Sequence, residues 1–124
     1  MIDFENAKFL KLRGVDGKAF AGLIAPLLVE GEYIIQTFQS IRDGVVFTNK
    51  RIIAVNIQGL TGKKKEFSIL PYSKIQAYAM ETAGVMDIDS ELQLWYSALG
   101  KISFEFSSGA DAAEICRIIG ENVL

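Results

Sequence analysis

The stretch that decides the fold runs from 44 to 84 and reads GVVFTNKRIIAVNIQGLTGKKKEFSILPYSKIQAYAMETAG. Its short apolar runs are interrupted by Asn49-Lys50, by Gly59 to Gly62 and by Pro71 to Ser73. Runs of β-branched and aromatic residues separated by turn residues are typical of antiparallel strands joined by tight connections. The stretch therefore predicts a β-meander with strands at 45–48, 51–57, 64–70 and 75–81.

The residues on either side of this stretch extend the series of strands. Residues 32–41 mix β-branched and aromatic side chains, and the Asp43-Gly44 pair that follows predicts a tight turn. Residues 87–97 and 101–107 alternate apolar and polar side chains, which is the pattern of half-buried strands. The alternation predicts these inward-facing residues: Ile88, Leu92, Leu94, Tyr96, Ile102, Phe104 and Phe106.

The register of this last hairpin can also be predicted. Inward residues must oppose inward residues, which places Leu94 opposite Phe104 and Tyr96 opposite Ile102. Ser97 then opposes Lys101, and residues 98–100 form a three-residue loop. Such a loop favours a left-handed final residue, which Gly100 supplies.

Helical patterns stand at both ends of the chain. Residues 1–28 have apolar side chains at three- and four-residue spacing, broken at 14–17, with Pro26 expected to end the second piece early. Residues 109–123 predict a closing helix with Ser108 as its N-cap and Asp111 near its first turn. The buried stripe of this helix is expected to contain Ala112, Ile115, Cys116, Ile119 and Val123.

The predicted fold is mainly β (α+β) and forms a single domain over residues 1–124. Seven antiparallel strands at 30–107 are expected to curl into a barrel of two orthogonal sheets. The C-terminal helix at 109–123 caps this barrel, and the helical segment at 1–28 is added to it.

Composition excludes several classes of function. The 124 residues carry a net charge of −2, so the basic excess of a nucleic-acid binder is missing. The chain contains no histidine and one cysteine, which removes histidine-based nucleophile activation and a cysteine or histidine zinc site. We therefore predict no enzyme, no metal and no cofactor. The lone cysteine and the absence of a signal-peptide pattern predict a cytoplasmic location.

Several sequence blocks, in order, resemble the bacterial pleckstrin-homology (PH) domain family. They are Thr48 to Arg51 followed by IIAV, Gln58 to Lys64, Pro71 to Ile75, Glu81 to Gly84 and Glu91 to Trp95. The resemblance implies a seven-stranded PH-like barrel and a non-enzymatic module that self-associates into homo-oligomeric rings. Eukaryotic relatives bind phosphoinositides through basic residues around their first hairpin. Here 39–44 offers only Arg42, beside Asp43, which argues against that ligand.

Two charged groups have both a functional and a structural interpretation. Lys63, Lys64 and Lys65 form the only basic cluster in the sequence and are candidates for contact with an anion or an acidic lipid. Glu66 follows directly, however, and lysines also discourage pairing between sheet edges, so a solvated loop is the favoured interpretation. Asp87, Asp89 and Glu91 share one strand face, but the glycine turn of a calcium loop is missing, which favours a solvated face.

Two apolar features are candidate interfaces. Alternation places Trp95 on the outward face of its strand, where either a subunit interface or the N-terminal helix would cover it. The stripe of Phe20, Leu23, Ile24, Leu27 and Leu28 lacks the flanking basic residues of a membrane-surface helix. It is expected to pack on the domain or on a neighbouring subunit. The predicted function is thus homo-oligomerisation and protein contact, with anionic-ligand binding through Lys63 to Lys65 as the alternative.

Overall fold

The structure, a computed structural model, describes residues 8–82 and 90–124, with side chains from residue 11 onward. In these ranges two helices, α1 (Ala21–Ile24) and α2 (Ala112–Val123), accompany the strands. Single 3-10 turns flank α1 at Gly17–Ala19 and Ala25–Leu27, and another, Tyr72–Lys74, connects two strands. The strands are β1 (Lys8–Val15), β2 (Ile34–Ser40), β3 (Asp43–Thr48), β4 (Arg51–Gln58), β5 (Lys64–Pro71), β6 (Ala77–Thr82), β7 (Ser90–Tyr96) and β8 (Gly100–Ser108).

Within the described residues the strands form one eight-stranded sheet in the order β5-β4-β3-β2-β1-β8-β7-β6. Two antiparallel meanders, β2 to β5 and β6 to β8, are joined by β1, which runs antiparallel to β2 and parallel to β8. The mainly β fold with seven antiparallel strands and a C-terminal helix is confirmed. Strand β1 adds to the seven predicted strands and links the two meanders into one curled sheet.

The prediction of a helix over residues 8–13 is wrong, because these residues belong to strand β1, which continues to Val15. Gly14 pairs with Phe38 of β2, and Phe9 pairs with Phe104 of β8. An inserted strand gains backbone hydrogen bonds on both sides, and this pairing outweighs a weak local helical pattern. The helical expectation for 18–28 holds in shorter form, since α1 and its flanking turns end at Leu27, directly after Pro26.

The expected turn at Asp43-Gly44 is also wrong, because both residues belong to β3. Ile41 and Arg42 make the turn instead, and Ile41 adopts a left-handed φ of 51°. The Asp43 carboxylate accepts a hydrogen bond from the Ile57 amide at 2.8 Å. Gly44 lies under the Phe20 ring, where a Cβ atom would stand 2.6 Å from Cζ. The Asp-Gly pair is thus used for contacts within the sheet and not for a turn.

The predicted inward residues of the last hairpin are confirmed where the structure describes them, from Leu92 to Phe106. Ile88 lies outside the described residues. The predicted register is wrong by two residues, since Leu94 opposes Ile102 and Tyr96 opposes Gly100. Matching of faces cannot distinguish registers that differ by two, because side chains alternate with a period of two. Gly100 has the expected left-handed φ, 84°, but it begins β8.

The C-terminal helix begins later than predicted. Its N-cap is Asp111, whose carboxylate accepts a hydrogen bond from the Glu114 amide at 3.1 Å, whereas Ser108 belongs to β8. The side chain of aspartate satisfies a free amide at the helix start. Ile115 and Ile119 are buried, as predicted, and Ala112, Cys116 and Val123 are half-buried.

Two apolar clusters stabilise the sheet on its two faces. The larger one, inside the curled sheet, contains Phe38, Phe47, Phe104 and Phe106 and is closed by α2. A second cluster lies on the outer face of β3 and β4, where Phe20 and Ile24 pack on three side chains. Those three are Val46, Ile53 and Val55.

Candidate interaction surfaces

The lysine cluster lies where the loop after β4 enters β5. Lys63, Lys64 and Lys65 are all exposed, as expected of a solvated loop. The Arg42 guanidinium donates a 2.8 Å hydrogen bond to the Gly59 carbonyl, which ties the β2–β3 turn to the β4–β5 loop. One end of the sheet therefore combines four basic residues: Arg42 in the β2–β3 turn, and Lys63 to Lys65 where the linked β4–β5 loop enters β5.

The same two loops carry exposed aliphatic side chains that the sequence reasoning did not single out. Ile41 is 93% exposed at the β2–β3 turn, and Leu60 is fully exposed in the β4–β5 loop. A left-handed conformation is unusual for a β-branched residue such as Ile41. Their exposure could have been predicted from the sequence, because an apolar residue stands between turn-forming neighbours, as in Gly59-Leu60-Thr61.

The apolar stripe at 20–28 packs largely on its own domain. Phe20 and Ile24 are buried against β3 and β4. Leu23, Leu27 and Leu28 remain partly exposed around them. These three residues are the part of the stripe that a neighbouring subunit can reach.

A buried ion pair fixes the chain that follows this stripe. The Glu32 carboxylate receives two 2.9 Å hydrogen bonds from the Arg51 guanidinium, one to each oxygen. The Thr48 hydroxyl and the Val29 amide also donate to it, at 2.7 and 3.1 Å. Burial alone would raise the pKa of Glu32, but these hydrogen bonds and the Arg51 charge hold that pKa below its usual value. The Arg51 guanidinium donates as well to the Leu27 carbonyl at 2.7 Å, so the pair anchors the helical segment to β4.

Trp95 lies on the outer face of β7 and is half-buried, between Ala77 of β6 and Lys101 of β8. The helical segment at 17–27, the alternative cover for Trp95, packs on β3 and β4, and residues 8–15 lie within the sheet as β1. Trp95 therefore remains a candidate interface residue on the outer face.

The two ends of the sheet are β5 and β6. Among the described residues β5 pairs only with β4, and β6 only with β7. Lys65, Phe67 and Ile69 of β5 stand opposite Ile57, Val55 and Ile53 of β4, which places them on the outer face. Ile69 is 40% exposed there. The outer face of β6 carries Ala77, Ala79 and Glu81, all exposed.

A row of three glutamates crosses the outer face next to the β6 edge. Glu81 of β6 pairs with Glu91 of β7, and Glu91 pairs with Glu105 of β8. Like charges directly opposite each other destabilise neighbouring strands. The Gln93 amide donates a 2.8 Å hydrogen bond to Glu91 and relieves part of this repulsion. Asp87 and Asp89, which were considered with Glu91, lie outside the described residues.

The remaining reactive side chains are used in packing. Burial raises the pKa of the Tyr72 and Tyr96 phenols and of the Cys116 thiol, which favours their neutral forms. The Tyr72 hydroxyl donates a 2.7 Å hydrogen bond to the Thr48 carbonyl. Within 8–82 and 90–124, no three cysteine, aspartate or glutamate side chains form a group able to hold a metal ion. In the same ranges no helix is long and apolar enough to cross a membrane.

Comparison with known proteins places this arrangement in a family. The family model described as bacterial PH domain matches residues 3–123. The chain is 42% identical over 98 residues to the uncharacterized protein YjqA of Bacillus subtilis, covering 77% of this chain and 78% of that protein. The uncharacterized protein YozO of the same organism is 34% identical over 97 residues, covering 78% of this chain and 83% of the relative.

Solved structures agree with this assignment. A DUF1696 family protein with a pleckstrin-homology domain from Shewanella loihica superposes with a TM-score of 0.74 at 35% identity, covering 92% of this chain and 98% of its own. A pleckstrin homology domain from Shewanella amazonensis superposes with a TM-score of 0.61 at 36% identity, covering 89% and 90%. The chain belongs to the bacterial PH domain family.

Proposed function

We propose that this bacterial PH domain acts without catalysis, by assembling with copies of itself and by contacting other proteins. The observation that carries the proposal is the pair of open sheet edges, β5 and β6, in the described part of the chain. An open edge presents unpaired amide and carbonyl groups, which readily accept a further strand. The lack of histidine and the packing roles of the buried tyrosines support a non-catalytic role.

The two edges differ in sequence, and this affects the symmetry of assembly. Pairing of β5 with β6 is head-to-tail, so each copy keeps one edge free for the next copy. Contacts of this kind give a ring when the rotation closes and a filament when it does not. A ring has the further advantage that it leaves no open edge.

Light scattering coupled to size exclusion tests the proposal directly. The expected result is a molar mass that is a multiple of the 13.7 kDa chain and rises toward a plateau with concentration. A strict monomer at high micromolar concentration would contradict it. Urea at a concentration below the unfolding transition supplies a control, since it should lower the mass before the near-UV signal of the fold is lost.

A second candidate function is contact with an anionic membrane surface through the loops that contain Ile41, Leu60 and Lys63 to Lys65. The specific observation is that two exposed aliphatic tips stand beside basic residues on linked loops. Apolar side chains that enter the headgroup region and nearby lysines that meet anionic lipid support each other. Each lysine near such a surface contributes about 1 kcal/mol.

Co-sedimentation with phosphatidylserine vesicles tests this second candidate. Binding is expected to fall with added salt, with Lys63→Glu and with Leu60→Ser. Val29→Ser is the matched control, because Val29 is exposed but its backbone lies near the Glu32 and Arg51 pair, away from these loops. Absence of vesicle binding, or equal loss in the control variant, would exclude this function.

A further inference from the structure

A groove opens where β1 and β2 separate. The pairing of these strands ends at Val15 and Thr37, and the chain then enters the 3-10 turn Gly17–Ala19. The groove between the diverging segments has a volume of about 410 Å³. Cavities of this size accommodate small molecules. Because β1 and β2 are central strands, the groove is distinct from the sheet edges β5 and β6.

The lining of the groove contains a buried hydroxyl group without a partner. Thr37 lines the groove and is 3% exposed. Among the described residues, no atom forms a hydrogen bond with its Oγ1. Buried hydroxyl groups are nearly always hydrogen-bonded, because their desolvation otherwise costs stability. Such a hydroxyl beside an open groove points to a ligand group that supplies the missing hydrogen bond.

The rim of the groove carries a carboxylate. Asp16 is exposed, and its Oδ1 accepts a 2.8 Å hydrogen bond from the Lys18 amide. Within 8–82 and 90–124, its Oδ2 receives no hydrogen bond. Of the described residues that line the groove, none is a lysine or an arginine. The charge of the lining therefore favours a cation and disfavours a phosphate or carboxylate ligand.

The walls of the groove are fixed by the surrounding structure. The Gln36 Nε2 donates hydrogen bonds to the Asp111 carbonyl and to the Glu114 carboxylate, at 3.1 and 2.8 Å. Gly14 lies against Gly109, since a Cβ atom on Gly14 would stand 3.0 Å from the Gly109 carbonyl oxygen. The groove is thus preformed, so little ordering of the protein opposes binding.

Two half-buried aliphatic side chains, Val15 and Ile35, complete the lining. They suit a short methylene chain, whereas the oxygens of Asp16 and Thr37 suit N–H donors at its end. A primary ammonium group combines a positive charge with three donors and has no acceptor. A calcium or magnesium ion fits less well, because one carboxylate and one hydroxyl supply too few oxygen ligands.

We propose that this groove binds an alkylammonium group. The ammonium donates hydrogen bonds to the Asp16 carboxylate and the Thr37 hydroxyl, and the methylene chain lies along Val15 and Ile35. Free amines and the lysine side chains of other proteins both carry such a group. The site does not involve β5 or β6, so it goes beyond the proposed function and does not depend on self-assembly.

Titration of nitrogen-15-labelled protein with n-butylammonium chloride, followed by amide chemical shifts, tests the site. The expected result is saturable changes at Gly17, Thr37 and Gly109, with a Kd in the millimolar range of so small a ligand. Gly59 and Gly62, in the β4–β5 loop, are internal controls. Sodium chloride at equal ionic strength and n-butanol, which lacks the charge, should not cause these changes. Absence of the changes, or equal changes with n-butanol, would overturn the proposal.

Two variants assign the roles of the polar groups. Asp16→Asn keeps a side-chain oxygen for the Lys18 amide but removes the charge, and it should weaken binding about tenfold. Thr37→Val removes the hydroxyl at nearly constant shape and should weaken binding about fivefold. Because this hydroxyl has no partner in the described residues, Thr37→Val should not lower stability in urea unfolding. A large loss of stability would show that the fold uses the hydroxyl and would overturn its role as a ligand contact.

Two further variants are matched controls. Glu121→Gln removes an exposed carboxylate in the last turn of α2, and Ser90→Ala removes another buried hydroxyl that lacks a partner in the described residues. Both should bind n-butylammonium as the wild type does. Weakening in these controls equal to that in Asp16→Asn and Thr37→Val would contradict a site in this groove.

A second probe, Nα-acetyl-lysine amide, distinguishes the two sources of the ammonium group. Binding as tight as that of n-butylammonium supports a lysine side chain of another protein as the ligand. Binding of n-butylammonium alone supports a free amine, and binding of neither would overturn the proposal.

Discussion

Replacement of Gly44 by alanine is expected to destabilise the fold, although Gly44 lies in a strand. A Cβ atom there would stand 2.6 Å from Cζ of Phe20 and 2.7 Å from Cε1 and Cε2. Contacts under 3 Å require the ring to move, and Phe20, together with Ile24, packs the helical segment on β3 and β4. The effect therefore extends beyond a single methyl group.

Two limits bound the loss of stability expected for Gly44→Ala. Overpacking of a filled core costs about 1–3 kcal/mol. Full expulsion of the Phe20 ring would cost about 1.5–3 kcal/mol of lost burial. We expect Gly44→Ala to lower the free energy of unfolding by about 2–3 kcal/mol, which corresponds to a Tm lower by roughly 8–12 °C for a chain of this size.

Urea unfolding followed by far-UV circular dichroism measures this difference. The matched control is Gly22→Ala, where no atom lies within 4 Å of the added Cβ and the residue belongs to α1. That variant should be neutral or slightly stabilising, because alanine favours a helix more than glycine does. Combining Gly44→Ala with Phe20→Leu should cost less than the sum of the two single changes. Equal stability of the two alanine variants would refute the packing role of Gly44.

Three further predictions concern the supporting interactions. Glu32→Gln should lower the free energy of unfolding by about 2–4 kcal/mol, since it breaks a buried ion pair with Arg51. The control is Glu30→Gln, because Glu30 is exposed. Equal losses of stability in the two variants would contradict a stabilising role of the ion pair. Because the folded-state pKa of Glu32 is lowered, its stabilisation is present above the unfolded-state pKa and is lost as pH falls through the folded pKa. Acid unfolding curves should thus be less steep for Glu32→Gln, and identical slopes would count against this linkage. Asp111→Ala should cost about 1 kcal/mol through loss of the α2 cap, whereas the exposed Glu121→Ala should have little effect in the same urea assay.

Local patterns in the sequence were sufficient for most of the fold. Alternation identified the inward residues from Leu92 to Phe106, and the turn at Asn49-Lys50 stands where it was predicted. Strand β1 was missed because its pairing with β2 and β8 joins residues far apart in the chain. Asp43-Gly44 was misread for a similar reason. The pair looks like a turn locally, and only the Phe20 ring, 24 positions earlier, explains the glycine.

Less of the candidate surfaces than of the fold could be predicted from the sequence. The lysines were located and are exposed, and Trp95 lies on the predicted outer face. Which strands form the edges depends on the sheet order, which alternation does not encode. The glutamate row likewise requires the register of three strands. The exposure of Ile41 and Leu60 could have been predicted, because an apolar residue inside a turn has few neighbours to pack against.

Amide hydrogen exchange at low and high protein concentration tests the central claim most directly, because it reports assembly and its location together. The account predicts that amides in β5 (Lys64–Pro71) and β6 (Ala77–Thr82) become more protected at high concentration, when each edge gains a partner strand. Amides of the central strands β2 and β3, already paired on both sides, should not change. Protection that is independent of concentration in both edge strands would contradict assembly through these edges.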